Sequence, residues 1–158
     1  MLNEEIKLLK FIAGAQFEIG VLEKDEESPI KTFLVFPDGR QQIPAGDAMF
    51  YTEYGTAEIP GRFVLERGIF QASDLLDRRL GTLTDEILEG KHNRASVENY
   101  LRETALSIRD FIRDFVRKEG IKQVYFTASI DENTPEAPSV CDFKELSQKI
   151  DCLVKFSN

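Results

Sequence analysis

The sequence contains few of the residues that metal sites, disulfide scaffolds and histidine-based catalysis need. It has no Trp, one His and two Cys among 158 residues. Two thiols do not make the disulfide framework of a small secreted domain, and one His with two Cys cannot supply the usual four-ligand zinc sets. The first residues lack the pattern of a signal peptide. We therefore expect no metal site, and a reducing cytoplasm or a particle assembled there as the compartment.

Recognisable catalytic and nucleotide-binding motifs are also missing. The sequence contains no glycine-rich phosphate-binding motif and no G-x-S-x-G nucleophile motif. Its single histidine, His92, has the polar neighbours Lys91, Asn93 and Arg94, which predict a solvated loop residue rather than a catalytic base. The sequence therefore predicts a protein that is not an enzyme and has no catalytic residue and no cofactor.

Acidic residues exceed basic ones, and apolar runs are short. With 28 Asp and Glu against 20 Lys and Arg, the formal net charge is -8, which disfavours extensive binding to nucleic acid phosphates. No apolar run is long enough to span a membrane. The hydrophobic content of 42% is that of a globular chain, and the length fits one domain.

The spacing of apolar residues predicts both helices and strands. Helices are predicted at 3–13 with Asn3 as N-cap, 47–54 with Asp47 as N-cap, 66–90 with a bend or break at Gly81, 96–119 with Ser96 as N-cap, and 142–150. Strands are predicted at 16–21, 32–36 with a return arm at 40–43, 124–130, and 152–156. The order predicts an α+β fold, with an antiparallel sheet packed against a long helical hairpin in a single domain over residues 1–158. Residues 131–139 are predicted to form an exposed loop, and residues 142–158 a C-terminal helix and strand.

The predicted helix at 96–119 carries a face of four arginines opposite its apolar face. These residues are Arg102, Arg109, Arg113 and Arg117. A solvent face with ion pairs is the first interpretation. A subunit interface is the second, because Arg is enriched where subunits meet. Contact with DNA phosphates is the third, since the net charge opposes it. The four arginines are therefore a candidate subunit interface.

Residues 47–65, D-A-M-F-Y-T-E-Y-G-T-A-E-I-P-G-R-F-V-L, contain several signals for turns within a short length. Gly55 permits the positive φ that ends a helix, Pro60 prevents the helix from continuing, and Gly61 lets the chain turn. We expect the Arg62 side chain to anchor this turn on carbonyl groups or on a carboxylate such as Glu53 or Glu58. A strand-like apolar run then reaches residue 65.

This segment resembles the neck, or tail-completion, family of tailed bacteriophages, also described as head–tail joining or virion morphogenesis proteins. Members show a short alanine-rich helix that ends in an aromatic residue, Gly and Thr, followed after a gap by I-P-x-R-P-F-L. The matching residues here are Tyr54, Gly55, Thr56, Ile59, Pro60, Gly61 and Arg62. The sequence departs from the family at Phe63, Val64 and Glu66, where Pro, Phe and Arg are usual.

The resemblance implies a non-enzymatic structural protein of the virion, assembled in the host cytoplasm. Such a protein forms a homo-oligomeric ring, a hexamer or dodecamer, that contacts neighbouring connector and tail proteins. DNA passes through its channel without specific binding, and no membrane is involved. A tail terminator or another ring at the end of the tail tube, a soluble cytoplasmic acidic adaptor, and a small hydrolase are the alternatives.

Overall fold

The computed structural model describes residues 2–128 and 139–157, which form an α+β fold in a single domain. Its helices are α1 (Leu2–Ala13), α2 (Ala45–Tyr54), α3 (Val64–Leu88), α4 (Arg94–Ala128) and α5 (Phe143–Ser147). Its strands are β1 (Gln16–Gly20), β2 (Pro29–Lys31), β3 (Gln42–Pro44) and β4 (Asp151–Lys155). The predicted fold class is confirmed. No helix in these residues is long and apolar enough to cross a membrane.

Helices α3 and α4 form the predicted antiparallel hairpin. Near the connection, the Tyr100 hydroxyl donates a hydrogen bond to the Arg79 carbonyl at 2.8 Å. Toward the far end, Arg67 forms an ion pair with Glu119 at 3.0 Å. The five-residue connection at 89–93 includes Gly90 at φ 76°. Because contacts pair the start of one helix with the later part of the other, the two helices run in opposite directions.

Two small antiparallel sheets lie against the helices. Strand β1 pairs with β4 in a register that places Gln16 opposite Lys155 and Gly20 opposite Asp151. Strand β2 pairs with β3, and Ile30 and Ile43 face each other at its centre, where both are buried. The C-terminal strand therefore lies beside the first strand of the chain, and α4 packs against β4.

The predicted apolar face of the long helix, α4, is buried at the centre of the core. Its buried residues are Val97, Leu101, Ile108, Ile112 and Val116. One cluster of buried side chains joins the middle of α4 to α2, α5, both sheets and the start of α3. The other joins the start of α4 to the end of α3, and α1 packs against it. Helix α4 therefore links both parts of the core.

The prediction of a strand at 32–36 is wrong. Strand β2 ends at Lys31; the Thr32 N–H still donates to the Gln41 carbonyl at 3.0 Å, but Thr32 forms an isolated bridge with Cys141 and residues 33–36 are not in a strand. The Thr32 hydroxyl donates to the Val140 carbonyl at 2.9 Å and accepts the Leu34 N–H at 3.1 Å. A side chain that bonds the backbone in this way competes with the strand ladder. The return arm of the hairpin is 42–44 rather than 40–43.

Three predicted helix caps are also wrong in position. Pro44 occupies the N-cap of α2 with φ −59° and ψ 141°, and Asp47 lies in the first turn. Asn93, rather than Ser96, precedes α4; its Oδ1 accepts the Ser96 N–H at 2.9 Å while the Ser96 hydroxyl accepts the Asn93 N–H at 3.0 Å. Asn3 lies inside α1. The predicted caps at Asp47 and Ser96 lie one turn late because a polar residue in the first turn resembles a cap in sequence.

The long helix was predicted to end at residue 119 and to be followed by a strand at 124–130. Both predictions are wrong for the residues that the structure describes. Helix α4 continues past Glu119 to Ala128, so residues 124–128 are helical. Each residue added to an existing helix gains one backbone hydrogen bond. A Gly in the helix, here Gly120, opposes this extension by only about 1 kcal/mol. Residues 129–130, and residues 131–138 of the loop predicted at 131–139, lie outside the described residues.

The remaining helices agree more closely with the predictions. Helix α3 is continuous through Gly81, so the predicted break is absent. Helix α5 and strand β4 confirm the predicted C-terminal helix and strand, and Asp142 is the N-cap of α5, with Oδ1 accepting the Lys144 N–H at 3.0 Å.

Candidate interaction surface

The motif between α2 and α3 forms a closed corner, here defined as residues 54–62. The Gly55 N–H donates to the Tyr51 carbonyl at 2.8 Å, which ends α2, and Gly55 has φ 87°. The Thr56 N–H donates to the Ile59 carbonyl at 2.8 Å, and the Thr56 hydroxyl accepts the Ile59 N–H at 3.0 Å. Gly55 and Pro60 then form a bridge. The structure therefore brings the predicted motif residues together.

Two glycines allow the backbone to close this corner. A Cβ on Gly55 would lie 2.6 Å from the Gly61 nitrogen. A Cβ on Gly61 would lie 2.7 Å from the Glu53 carbonyl oxygen. Both neighbours are backbone atoms that cannot rotate away. Close approach of the backbone, in addition to the freedom to turn that the sequence suggests, is what requires Gly at these positions.

The predicted strand-like run up to residue 65 is wrong, because the corner leads directly into α3. Phe63 adopts a left-handed conformation with φ 52° and ψ 38°, and Val64 is the first helical residue. The Arg62 N–H donates to the Thr52 carbonyl at 2.9 Å, and the Phe63 N–H to the Glu53 carbonyl at 3.2 Å. These bonds hold the start of α3 against the end of α2. They override the β propensity of the apolar residues.

Glu53 connects the corner to α3 through its side chain. Its carboxylate accepts the Leu65 N–H at 2.8 Å and the Glu66 N–H at 2.9 Å, and the residue is only 6% exposed. These are donors of the first turn of α3, which have no partner within the helix. The sequence indicated Glu53 only as a partner for Arg62. Its role as a cap from another helix has no local sequence signal.

Arg62 contributes to the corner through its backbone carbonyl as well. That carbonyl accepts hydrogen bonds from Arg67 Nε and Nη2 at 3.3 and 3.1 Å. Burial, with the charge of Arg67, lowers the pKa of Arg62. The expected anchoring by the Arg62 side chain stays a prediction.

An open apolar groove lies beside the corner. Its volume is about 690 Å³, and its apolar lining includes Ile19, Val21, Met49 and Leu65. We call the exposed lining residues Phe50, Tyr54 and Ile69 the groove rim; they are 56%, 64% and 38% exposed. The Phe50 and Tyr54 rings lie 5.0 Å apart.

The lining of the groove combines apolar, aromatic and acidic residues. Both charged residues in its lining, Glu53 and Glu66, are acidic. Exposed aromatic residues around a cleft are typical of surfaces that bind other proteins. Sequence reasoning treated Tyr54 only as a residue of the family motif, so it missed the groove.

The four arginines of the candidate interface have different environments. Arg113 donates from Nε to the Ile150 carbonyl at 2.7 Å, so it binds the turn between α5 and β4. Arg117 pairs with Asp114 at 2.6 Å, and Arg109 contacts Asp110 at 3.0 Å. The Arg102 guanidinium lies 5.1 Å from the Phe156 ring centre. Arg113 is therefore engaged within the chain, and the role of the group as a subunit interface stays a prediction.

The prediction of a solvated His92 is wrong. Its side chain is only 12% exposed, with Nε2 2.6 Å from Glu86 Oε2 and Nδ1 2.9 Å from Ser96 Oγ. The Ser96 hydroxyl also donates to the Asn93 carbonyl at 3.0 Å. This chain of contacts joins the end of α3 to the first turn of α4. Glu86 lies in the preceding helix, outside the polar turn from which the prediction was made.

Among residues 2–128 and 139–157, no group of three or more His, Cys, Asp or Glu side chains could hold a metal ion. Comparison with known proteins gives no relative: no family model, no curated protein and no solved structure matches the chain.

Proposed function

We propose that this chain is a non-enzymatic structural subunit of a tailed-bacteriophage neck, which assembles into a ring around the DNA channel and joins the head connector to the tail. The observation that carries the proposal is the corner at 54–62. The residues on which the family resemblance rests lie together and form one hydrogen-bonded unit with two glycines in close backbone contact. A rigid corner suits a subunit that must hold adjacent surfaces in a fixed relation.

The surface of the chain supports this proposal in two respects. The net charge of -8 favours a channel wall that repels phosphates, so DNA can pass without binding. The groove beside the corner exposes Phe50 and Tyr54, and exposed aromatic residues at a cleft favour an assembly surface. Neither property requires a reaction centre.

Electron microscopy of the purified protein, alone and with connector and tail proteins, tests the proposal. We expect rings with a central channel, and light scattering should give one defined oligomer mass. The protein should not be retained on DNA at physiological salt, because its formal net charge of -8 opposes contact with phosphates.

A chain that stays monomeric in every mixture would contradict the proposal and favour the acidic adaptor. A tail terminator is the neighbouring alternative within the same class. Finding the ring only on assembled tails, and never on filled heads, would favour it.

A further inference from the structure

The outward face of α3 carries carboxylates that have no cation partner. We call Phe70, Asp74, Asp77, Gly81 and Asp85 the acidic edge; their spacing of three or four residues places them on one face of the helix. All of them are exposed. Among the described residues, the ion pairs of α3 involve Arg67 and Glu86, so no ion pair neutralises the three aspartates. Arg78, which lies between them in sequence, bonds the Asp74 backbone carbonyl at 3.4 Å.

The arginine face of α4, formed by Arg102, Arg109, Arg113 and Arg117, carries more positive charge than its own helix neutralises. Two carboxylates of α4 are each shared by two cations: Glu98 by Arg94 and Arg102, and Asp114 by Arg117 and Lys118. Arg113 bonds backbone carbonyls instead of a carboxylate, and Arg109 pairs with Asp110. The excess of positive charge favours an acidic partner.

The acidic edge and the arginine face lie on opposite sides of the helical hairpin. Helix α3 faces α4 through Gly68, where an added Cβ would lie 3.2 Å from Phe115, and through Arg79, which donates to the Thr104 hydroxyl at 2.8 Å. At about 100° per residue, the acidic edge is on the far side of α3 from these contacts, and the arginine face is on the far side of α4. A second copy placed alongside therefore brings an acidic edge to an arginine face, and the contact can repeat.

The spacing of the residues on these two surfaces also matches. In a ring whose hairpins lie along its axis, rotation keeps every α3 in one direction and every α4 in the other, so α3 of one copy runs antiparallel to α4 of the next. One register then aligns four contacts: Asp85 with Arg102, Asp77 with the Arg109–Asp110 pair, Asp74 with Arg113, and Phe70 with Arg117. An arginine over an exposed aromatic ring is a favourable contact in itself.

The same register places Leu106 opposite Gly81. Leu106 lies within the arginine face and is 47% exposed. A Cβ added to Gly81 would have nothing within 4 Å, so the surface of α3 is open at this position. Because Gly inside a helix costs stability, a Gly at an open position has no reason within the subunit. A leucine from a neighbouring helix would supply one.

We propose that the acidic edge of one copy binds the arginine face of the next copy, with Leu106 seated on Gly81. The partner of each surface is thus a second copy of this chain. The surfaces differ, so the contact is head-to-tail, and it closes a ring when the rotation permits. The inference rests on the proposed function and names the surfaces by which the subunits of the ring bind each other.

Disulfide cross-linking between two single variants tests this contact. Gly81→Cys and Leu106→Cys are prepared separately, mixed and oxidised. We expect a covalent dimer in the mixture and little cross-linking of either variant alone, because a head-to-tail contact joins unlike positions. Burial raises the pKa of the native Cys141 and Cys152 thiols to about 12 each, so they compete poorly.

Leu88→Cys provides a matched control for the register. Leu88 is 54% exposed on the same face of α3, but it lies roughly 10 Å along the helix from Gly81 at about 1.5 Å per residue. A disulfide needs Cβ atoms about 4 Å apart. We therefore expect Leu106→Cys to cross-link with Gly81→Cys about ten times more than with Leu88→Cys.

Charge reversal gives a second measurement of the same contact. Asp85→Lys and Arg102→Glu each place like charges together, so each should lower the fraction of oligomer about fivefold or more, and combining them should largely restore it. Thermal unfolding should show that each variant stays folded. Glu58→Lys, an exposed change of the same kind outside the acidic edge, should leave assembly unchanged.

Several outcomes would overturn the inference: equal cross-linking to positions 81 and 88, Leu106→Cys linking mainly to itself or to a connector or tail protein, or no recovery in the double charge reversal. The outcome for the proposed function is separate. Rings without the 81–106 link would contradict the inference and support the proposed function. A cross-linked ladder without rings would do the reverse, and a chain that stays monomeric in every mixture would contradict both.

Discussion

At the residue scale, three residues determine the connection between α2 and α3. Gly55 and Gly61 let two backbone segments approach, and Glu53 satisfies the first N–H groups of α3 from a buried position. All three roles depend on backbone atoms several residues away in the sequence, in the corner or at the helix ends beside it. Substitutions at these positions should therefore act on folding rather than on a surface property.

Replacing Gly61 and Gly81 by Ala gives opposite expected results. In Gly61→Ala the new Cβ lies 2.7 Å from Glu53 and Tyr54 backbone atoms, so the corner must move, and we expect a loss of about 1–3 kcal/mol. In Gly81→Ala nothing lies within 4 Å of the new Cβ in a continuous helix, so stability should rise by about 0.5–1 kcal/mol. Urea unfolding measures both. Equal effects would contradict the tight corner.

Removal of the Glu53 carboxylate should destabilise the fold. In Glu53→Ala the Leu65 and Glu66 N–H groups lose their partner in a site that is 6% exposed, so we expect a loss of about 1–3 kcal/mol. Glu53→Gln retains one carbonyl acceptor and should lose less. The exposed Glu58→Gln is the control, and thermal unfolding should show little change in it. A Glu53→Ala variant as stable as this control would refute the cap.

At the scale of elements, α4 connects the rest of the fold. Its apolar face packs against α3 and both core clusters, while Arg113 on another face binds the carbonyl of Ile150. The helix therefore fixes the turn that leads into β4. The arginine face, as predicted from helical spacing, combines this internal contact with exposed ion pairs.

Arg113 and Arg117 should differ in their contribution to stability. Arg113→Leu loses hydrogen bonds from a charged donor to the Ile150 and Gln148 carbonyls, so we expect a loss of about 1.5–3 kcal/mol. Arg117→Leu removes an exposed pair with Asp114 and should change stability by less than about 1 kcal/mol. Chemical unfolding compares the two.

Measuring the assembly of the same two variants distinguishes a role of the arginine face within the subunit from a role as a subunit interface. If Arg117→Leu assembles normally and Arg113→Leu is merely unstable, the arginine face does not join subunits. If Arg117→Leu stays folded and fails to assemble, the face is an interface.

At the scale of the whole molecule, acidic groups dominate the charge, and ion pairs of defined geometry join distant parts of the chain. Lys24, in the loop after β1, lies 2.6 Å from Asp151 at the start of β4. Burial of Asp151 by itself raises its pKa, but hydrogen bonds from Lys24 and the Cys152 N–H, with the charges of Lys24 and Arg109, lower the pKa below its usual range. The folded state therefore favours the ionised form of Asp151.

This shift gives a prediction for the pH dependence of stability. Because the folded pKa of Asp151 is below the unfolded value of about 3.9, its contribution is present above that pH and is lost as the pH falls through the folded pKa. Asp151→Asn should be less stable than wild type at neutral pH, and the difference should shrink below about pH 4. Urea midpoints from neutral to acidic pH measure it. Asp38→Asn, an exposed control, should show a smaller change, and an undiminished difference in acid would contradict the prediction.

The sequence predicted much of the fold because periodicity reports which side of an element is buried. The buried residues of α4 and the pairing of long helices followed from apolar spacing. The strand at 32–36 failed because its apolar residues suit a strand, whereas Thr32 bonds Val140 from far along the chain. The prediction of a solvated His92 was wrong for a similar reason, because Glu86 in the preceding helix contacts its side chain.

By itself, the sequence determined the fold class, the acidic charge and the positions where the chain must turn, because these depend on composition and on residues near each other in the chain. Gly55, Pro60 and Gly61 belong to this set. Only the tertiary structure decided that Glu53 caps another helix, that Arg113 binds the C-terminal turn, and that a groove opens beside the corner. Each of these contacts joins residues brought together by packing, and local pattern carries no information about such pairs.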